Sequence, residues 1–127
     1  MRVARLFLLA SVSVVAFDAV AAIAARALGF SYSYAAIGSV VLYAAFGGAA
    51  AWMFAFRTAP LLGAAMGLVD GTAGWAVAWA VGPGRLSDGE LTALLWMATA
   101  VFAVLVGAIC ASAGGGVGRL MGRPRQA

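Results

Sequence analysis

Two residues in this chain sit where chemistry is expensive. Asp18 and Asp70 each interrupt an otherwise apolar run. A carboxyl group takes up and releases a proton or pairs with a cation, and at the centre of a membrane helix an aspartate costs about 2.5–3.5 kcal/mol to insert. Such a residue is expected to face a bundle interior or a water-filled cavity, and to mark a functional site. Interhelical hydrogen bonds, worth about 0.6–2 kcal/mol, recover less than this cost, so glue alone does not account for two aspartates. Thr72 lies between Gly71 and Gly74. A glycine-flanked segment beside Asp70 is the best candidate for a locally unwound helix whose freed carbonyls help to hold a cation. The expected site is therefore a proton- or cation-binding one made of Asp18, Asp70 and Thr72.

The rest of the chemical inventory is thin. There is no histidine and no lysine, and Cys110 is the single cysteine. An internal disulfide is excluded, and the commonest zinc and copper ligand is missing. Neither a metal site nor a cofactor is expected, and no nucleophile stands beside a base. Phe17-Asp18 and Gly67-Leu68-Val69-Asp70 resemble the Tyr-Asp and Gly-x-Gly-Asp motifs of intramembrane aspartyl proteases, which use two membrane aspartates. The likeness departs at Phe17 and Val69, and the Pro-Ala-Leu motif of that family is absent. No enzymatic activity is expected.

The elements that must position the aspartates follow from composition. Of 127 residues, 65% are hydrophobic and 9% charged, with a mean hydropathy of +1.05. A soluble domain carries roughly a quarter of its residues as charges, and a disordered chain is polar. Neither describes this chain, which points to an all-α integral membrane protein. A membrane-crossing helix needs about 20 apolar residues, and hydropathy gives four such stretches, at about 6–28, 34–56, 59–81 and 91–113. They form a single domain, a four-helix bundle, followed by a short basic tail over 117–127. Pro60 suits the first turn of the third helix. Ser87 to Glu90 has the form of a capping box, which places the start of the fourth helix at Asp88 or Gly89. Gly114-Gly115-Gly116 is expected to fray that helix at its end.

At 1.5 Å per residue, Asp18 and Asp70 each lie roughly 15–18 Å from the nearer basic border, at the bilayer midplane. Arg5, Arg57, Arg119 and Arg123 fall on one side of a four-span arrangement and serve as topology anchors. The positive-inside rule then puts both termini in the cytoplasm, and the expected location is a bacterial cytoplasmic membrane. Met1 to Arg5, Leu6 to Phe17 and Ala19-Val20-Ala21 also have the form of a signal peptide. The apolar run nonetheless continues to Leu28, so four spans are expected. The net charge of +4 gathers at span ends, which speaks for topology and against a nucleic-acid partner.

Asp18 and Asp70 are 52 residues apart, as are Arg5 and Arg57. With eight residues added for the longer second loop, the offset becomes 60, which aligns Gly47 with Gly107. Helices one and two would then repeat in three and four as parallel hairpins about an axis along the membrane normal, an arrangement found among transporters. Two carboxylates facing each other across that axis cannot both stay ionised. Gly63, Gly67 and Gly71 recur every four residues, and with Gly47 and Gly107 they are expected to let helices approach closely. The functional expectation is a small proton- or cation-coupled transporter or channel-like protein. The alternative is a non-transporting accessory or scaffold protein whose aspartates are interhelical glue. The lipid bilayer is the expected partner, with a homodimer as the working unit for transport and another membrane protein as the partner of a scaffold.

Overall fold

A computed structural model of the chain describes residues 3–83, 85 and 92–122, and these contain helices and turns but no strand. The helices are α1 (Val3–Leu28), α2 (Ala35–Met53), α3 (Thr58–Val69), α4 (Trp75–Val81) and α5 (Ala93–Leu120). A 3₁₀ turn, Tyr32–Tyr34, leads into α2. A π-helical turn, Asp70–Gly74, joins α3 to α4 without breaking the rod. Four continuous helical spans result, Val3–Leu28, Tyr32–Met53, Thr58–Val81 and Ala93–Leu120, each long and apolar enough to cross a membrane.

The buried residues recur at helical spacing. In α1 they are Leu6, Ala10, Val14, Asp18, Ala22 and Ala25, a stripe stepping by four and then three that keeps to one face. Asp18 occupies a position in that stripe, which is why it points inward. The stripe of α2 is Ala35, Ser39, Tyr43, Gly47 and Ala50 with Ala51, so Tyr43 is held inside in the same way. In α5 the buried positions are Gly107, Ala111, Gly115 and Gly118. Among the described residues, α1 packs on α2 and on the third span but not on α5, whereas α5 packs on the opposite side of α2 and α3. The core proper gathers Leu6, Ala10, Val14, Tyr43, Ala50, Leu62 and Met66. It fills the end of the bundle where the first span begins and the second gives way to the third.

Glycine governs how closely α5 approaches. A Cβ on Gly63 would fall on the Gly107 carbonyl oxygen, and one on Gly107 would fall on that of Gly63. Gly67 rests in the same way on Ala103, Gly71 on Ala100, and Gly47 on Ala111. Gly114 and Gly118 face the backbone of Ala44 and Gly48 in α2. That contact explains why the fourth helix does not fray at Gly114-Gly115-Gly116 but continues to Leu120. A mid-helix glycine costs about 1 kcal/mol relative to alanine, and backbone-to-backbone packing offsets it.

The start of α5 is capped by Thr92, whose hydroxyl accepts from the Leu95 N–H at 3.2 Å. The capping box expected over Ser87, Asp88, Gly89 and Glu90 lies outside the described residues. At the other end of the bundle, Arg5 and Arg57 are exposed, and the Arg119 guanidinium lies 5.5 Å from the centre of the Phe56 ring. The second span ends at Met53 because Phe54 leaves the helical region, at φ −126° and ψ −100°. Arg123 lies outside the described residues.

Candidate functional site: a carboxyl pair at the floor of a cleft

Asp18 and Asp70 meet. Asp18 Oδ2 and Asp70 Oδ1 both lie within 3.0 Å of the point where a Cβ on Gly74 would stand. The two carboxyl groups are thus inside the roughly 6 Å range over which charges couple strongly. Gly74 makes the meeting possible, since any side chain there would displace the Asp18 carboxyl. Asp70 and Gly74 are four residues apart and so share one side of the helix, within the π turn that packs against α1.

Each carboxyl group also receives one phenol. Tyr32 Oη donates to Asp18 Oδ1 at 3.3 Å, and Tyr43 Oη donates to Asp70 Oδ2. The oxygens left over are the two that face each other above Gly74. Asp18 is 2% exposed, and its Oδ2 is buried without a hydrogen-bond partner among the described residues. A buried acceptor left unsatisfied costs about 1–3 kcal/mol or more. A proton held between the two carboxyl groups would satisfy both facing oxygens at once. Arg26 supplies no counter-charge here, because its Nη1 donates to the Val81 carbonyl at 2.8 Å, where a cation caps the exposed carbonyls at the end of α4.

Above the pair a cleft of about 240 Å³ opens between the first half of the second span and the first half of α5. Asp18, Asp70 and Tyr43 lie at its floor, and Val40, Phe102 and Val106 are among its apolar walls. Its back is braced by Trp75 and Trp96, packed edge to face with ring centres 5.3 Å apart. Trp96 Nε1 donates to the Gly71 carbonyl at 3.1 Å.

Thr72 is not brought to the pair. Its hydroxyl donates to the Leu68 carbonyl at 2.6 Å, a bond to its own helix that is available to any mid-helix threonine. The carbonyl expected to be freed beside it, that of Gly71, is taken by Trp96. The hydroxyls of Ser13 and Thr99 likewise turn to their own helices, at Leu9 and Leu95. The partners of the aspartates are instead Tyr32 and Tyr43. They are 11 residues apart, about three helical turns and hence one face, and that spacing together with the depth of Tyr43 in an apolar run is the signal that could have found them. No protein-family model, no curated protein and no solved structure matches this chain.

Proposed function

We propose that this is a small integral membrane protein in which Asp18 and Asp70 act as one proton-binding site of a proton-coupled carrier. One observation carries the reading. Two carboxyl groups from different spans converge over Gly74 at the floor of an open cleft, and a buried oxygen of Asp18 lacks a donor. Glue accounts for the phenol that each aspartate receives, but not for two carboxyl groups brought together with one buried oxygen left unsatisfied. A proton between the two facing oxygens would satisfy both, and the cleft gives that proton a way in and out. On the opposite side Val14, Tyr43 and Met66 are fully buried and close the route. Closure on that side suits a carrier that alternates its access rather than a channel.

The bilayer is the expected surroundings of the four apolar spans. Arg5, Arg57 and Arg119 at one end of the bundle support cytoplasmic termini by the positive-inside rule, in a bacterial cytoplasmic membrane. Parallel hairpin repeats would explain why the first and third spans each deliver an aspartate to one point.

The test is proton flux into liposomes holding the purified protein, driven by a pH gradient. Flux above that of empty liposomes is expected, with loss when Asp18→Asn and Asp70→Asn are combined. Flux that survives the double substitution overturns the reading. The scaffold alternative draws on the bonds from Tyr32 and Tyr43, which tie the second span to the first and third. It requires Asp→Asn to keep folding and function alike, because an amide oxygen still accepts the phenol.

A further inference from the structure

We propose that the cleft binds a small monovalent organic cation, an alkylammonium with an apolar body, that enters sideways between α2 and α5 and pairs with Asp18 and Asp70. This rests on the carrier reading and names its substrate class. The chemistry of the lining sets the choice. The floor offers two carboxyl groups, one of them with a fully buried oxygen that has no donor. The walls are apolar and aromatic, with Val40, Val106 and Phe102 beside the Tyr43 ring. Such walls hold hydrocarbon, and aromatic faces attract an ammonium. With Asp18 Oδ1 and Asp70 Oδ2 taken by the two phenols, two carboxyl oxygens are left to converge, fewer than the six to eight oxygens that a hard cation such as calcium collects. No group of three or more His, Cys, Asp or Glu side chains exists among the described residues.

The position of the opening sets the route. Val40 and Phe102, on facing helices at the cleft, are 39% and 68% exposed. Both lie well inside their spans, so the mouth reaches bilayer depth and admits a solute that partitions into hydrocarbon. Charge conservation sets the stoichiometry. An added charge at this depth is costly, so each arriving cation displaces one proton from the carboxyl pair, and that proton leaves past exposed Ser33, where the cleft reaches the end of the second span. The charge of the site is then the same before and after.

The experiment is calorimetric titration of the purified full-length protein in detergent with tetraethylammonium and tetrapropylammonium, repeated in two buffers of different ionisation heat. Expected are saturable binding, one proton released per cation, and affinity that falls tenfold for each pH unit of acidification while the displaced proton is bound. Asp18→Asn should abolish binding. Ala36→Phe, which narrows the mouth from an exposed position on α2, should weaken binding at least tenfold while the folded helical content is retained. Binding that is unchanged in Asp18→Asn, or that releases no proton, overturns the proposal, as does the absence of binding by either cation. In liposomes the same cations should accelerate the aspartate-dependent proton flux. If that flux depends on the aspartates but neither cation binds or accelerates it, the substrate assignment fails and the proton site stands. If the flux ignores the aspartates, the carrier reading fails as well.

Discussion

The two ends of the bundle are built differently. At one end, Leu6, Ala10, Val14, Leu62 and Met66 pack into a closed core, with Met66 and Val14 fully buried. At the other, the second span and α5 part around a cleft of about 240 Å³. Asp18, Asp70 and Tyr43 lie at the boundary, Tyr43 belonging to both the core and the cleft floor. The difference teaches how so short a chain can expose a costly pair of acids to one face. Glycine pulls α3 and α5 together on the core side, at Gly63 and Gly107. Beyond Gly71, Trp75 of α4 and Trp96 of α5 fill the contact between the third span and α5, edge to face. Gly47, Gly114 and Gly118 make the same close contact between α2 and α5 on the core side, whereas Val40 and Phe102 line the cleft between those helices beyond it.

Substitutions in the two halves should therefore differ sharply. Met66→Ala should lower unfolding stability in detergent by about 2–5 kcal/mol, whereas Phe102→Ala, at an exposed cleft wall, should change it by about 0.5 kcal/mol or less. Equal losses would mean that the cleft is as tightly packed as the core. Gly107→Ala puts a methyl against the Gly63 carbonyl and should cost about 1–3 kcal/mol. Gly116→Ala on the same helix, with nothing within 4 Å, should be neutral or slightly stabilising by the same unfolding measurement. At the boundary, Tyr43→Phe removes a buried donor to Asp70 and should cost about 1.5 kcal/mol. Tyr32→Phe, whose bond to Asp18 is 3.3 Å long, should cost about 0.5 kcal/mol. The order of that pair is read from denaturation midpoints of the two variants side by side.

The closed half was more legible in the sequence than the open one. Hydropathy marks four spans because about 20 apolar residues have no other common use, and it places the end of the first at Leu28 and of the third at Val81, where the helices end. The aspartates stand out because every other described charge lies near a span end or in a loop. Four features were not legible in this way. The π turn adds a residue to a helical turn without changing hydropathy, so Asp70–Gly74 reads as ordinary helix. Thr72 reads as a ligand by composition, yet a threonine within a helix satisfies itself on the carbonyl four residues back. Tyr32 follows the first span in a short loop, where nothing local marks that its hydroxyl reaches back to Asp18. Finally, Gly114-Gly115-Gly116 reads as a helix end when local propensity is considered alone, and only the contact with α2 reverses it.

The central claim is that Asp18 and Asp70 form one proton-binding unit. Infrared difference spectra recorded as the pH is changed report the carbonyl stretch of a protonated carboxyl group, and Asp18→Asn and Asp70→Asn leave one carboxyl at a time. A shared site predicts that removing either aspartate shifts both the frequency and the titration midpoint of the other's band. Two bands that titrate independently, with the single variants summing to the spectrum of the unaltered protein, would contradict it.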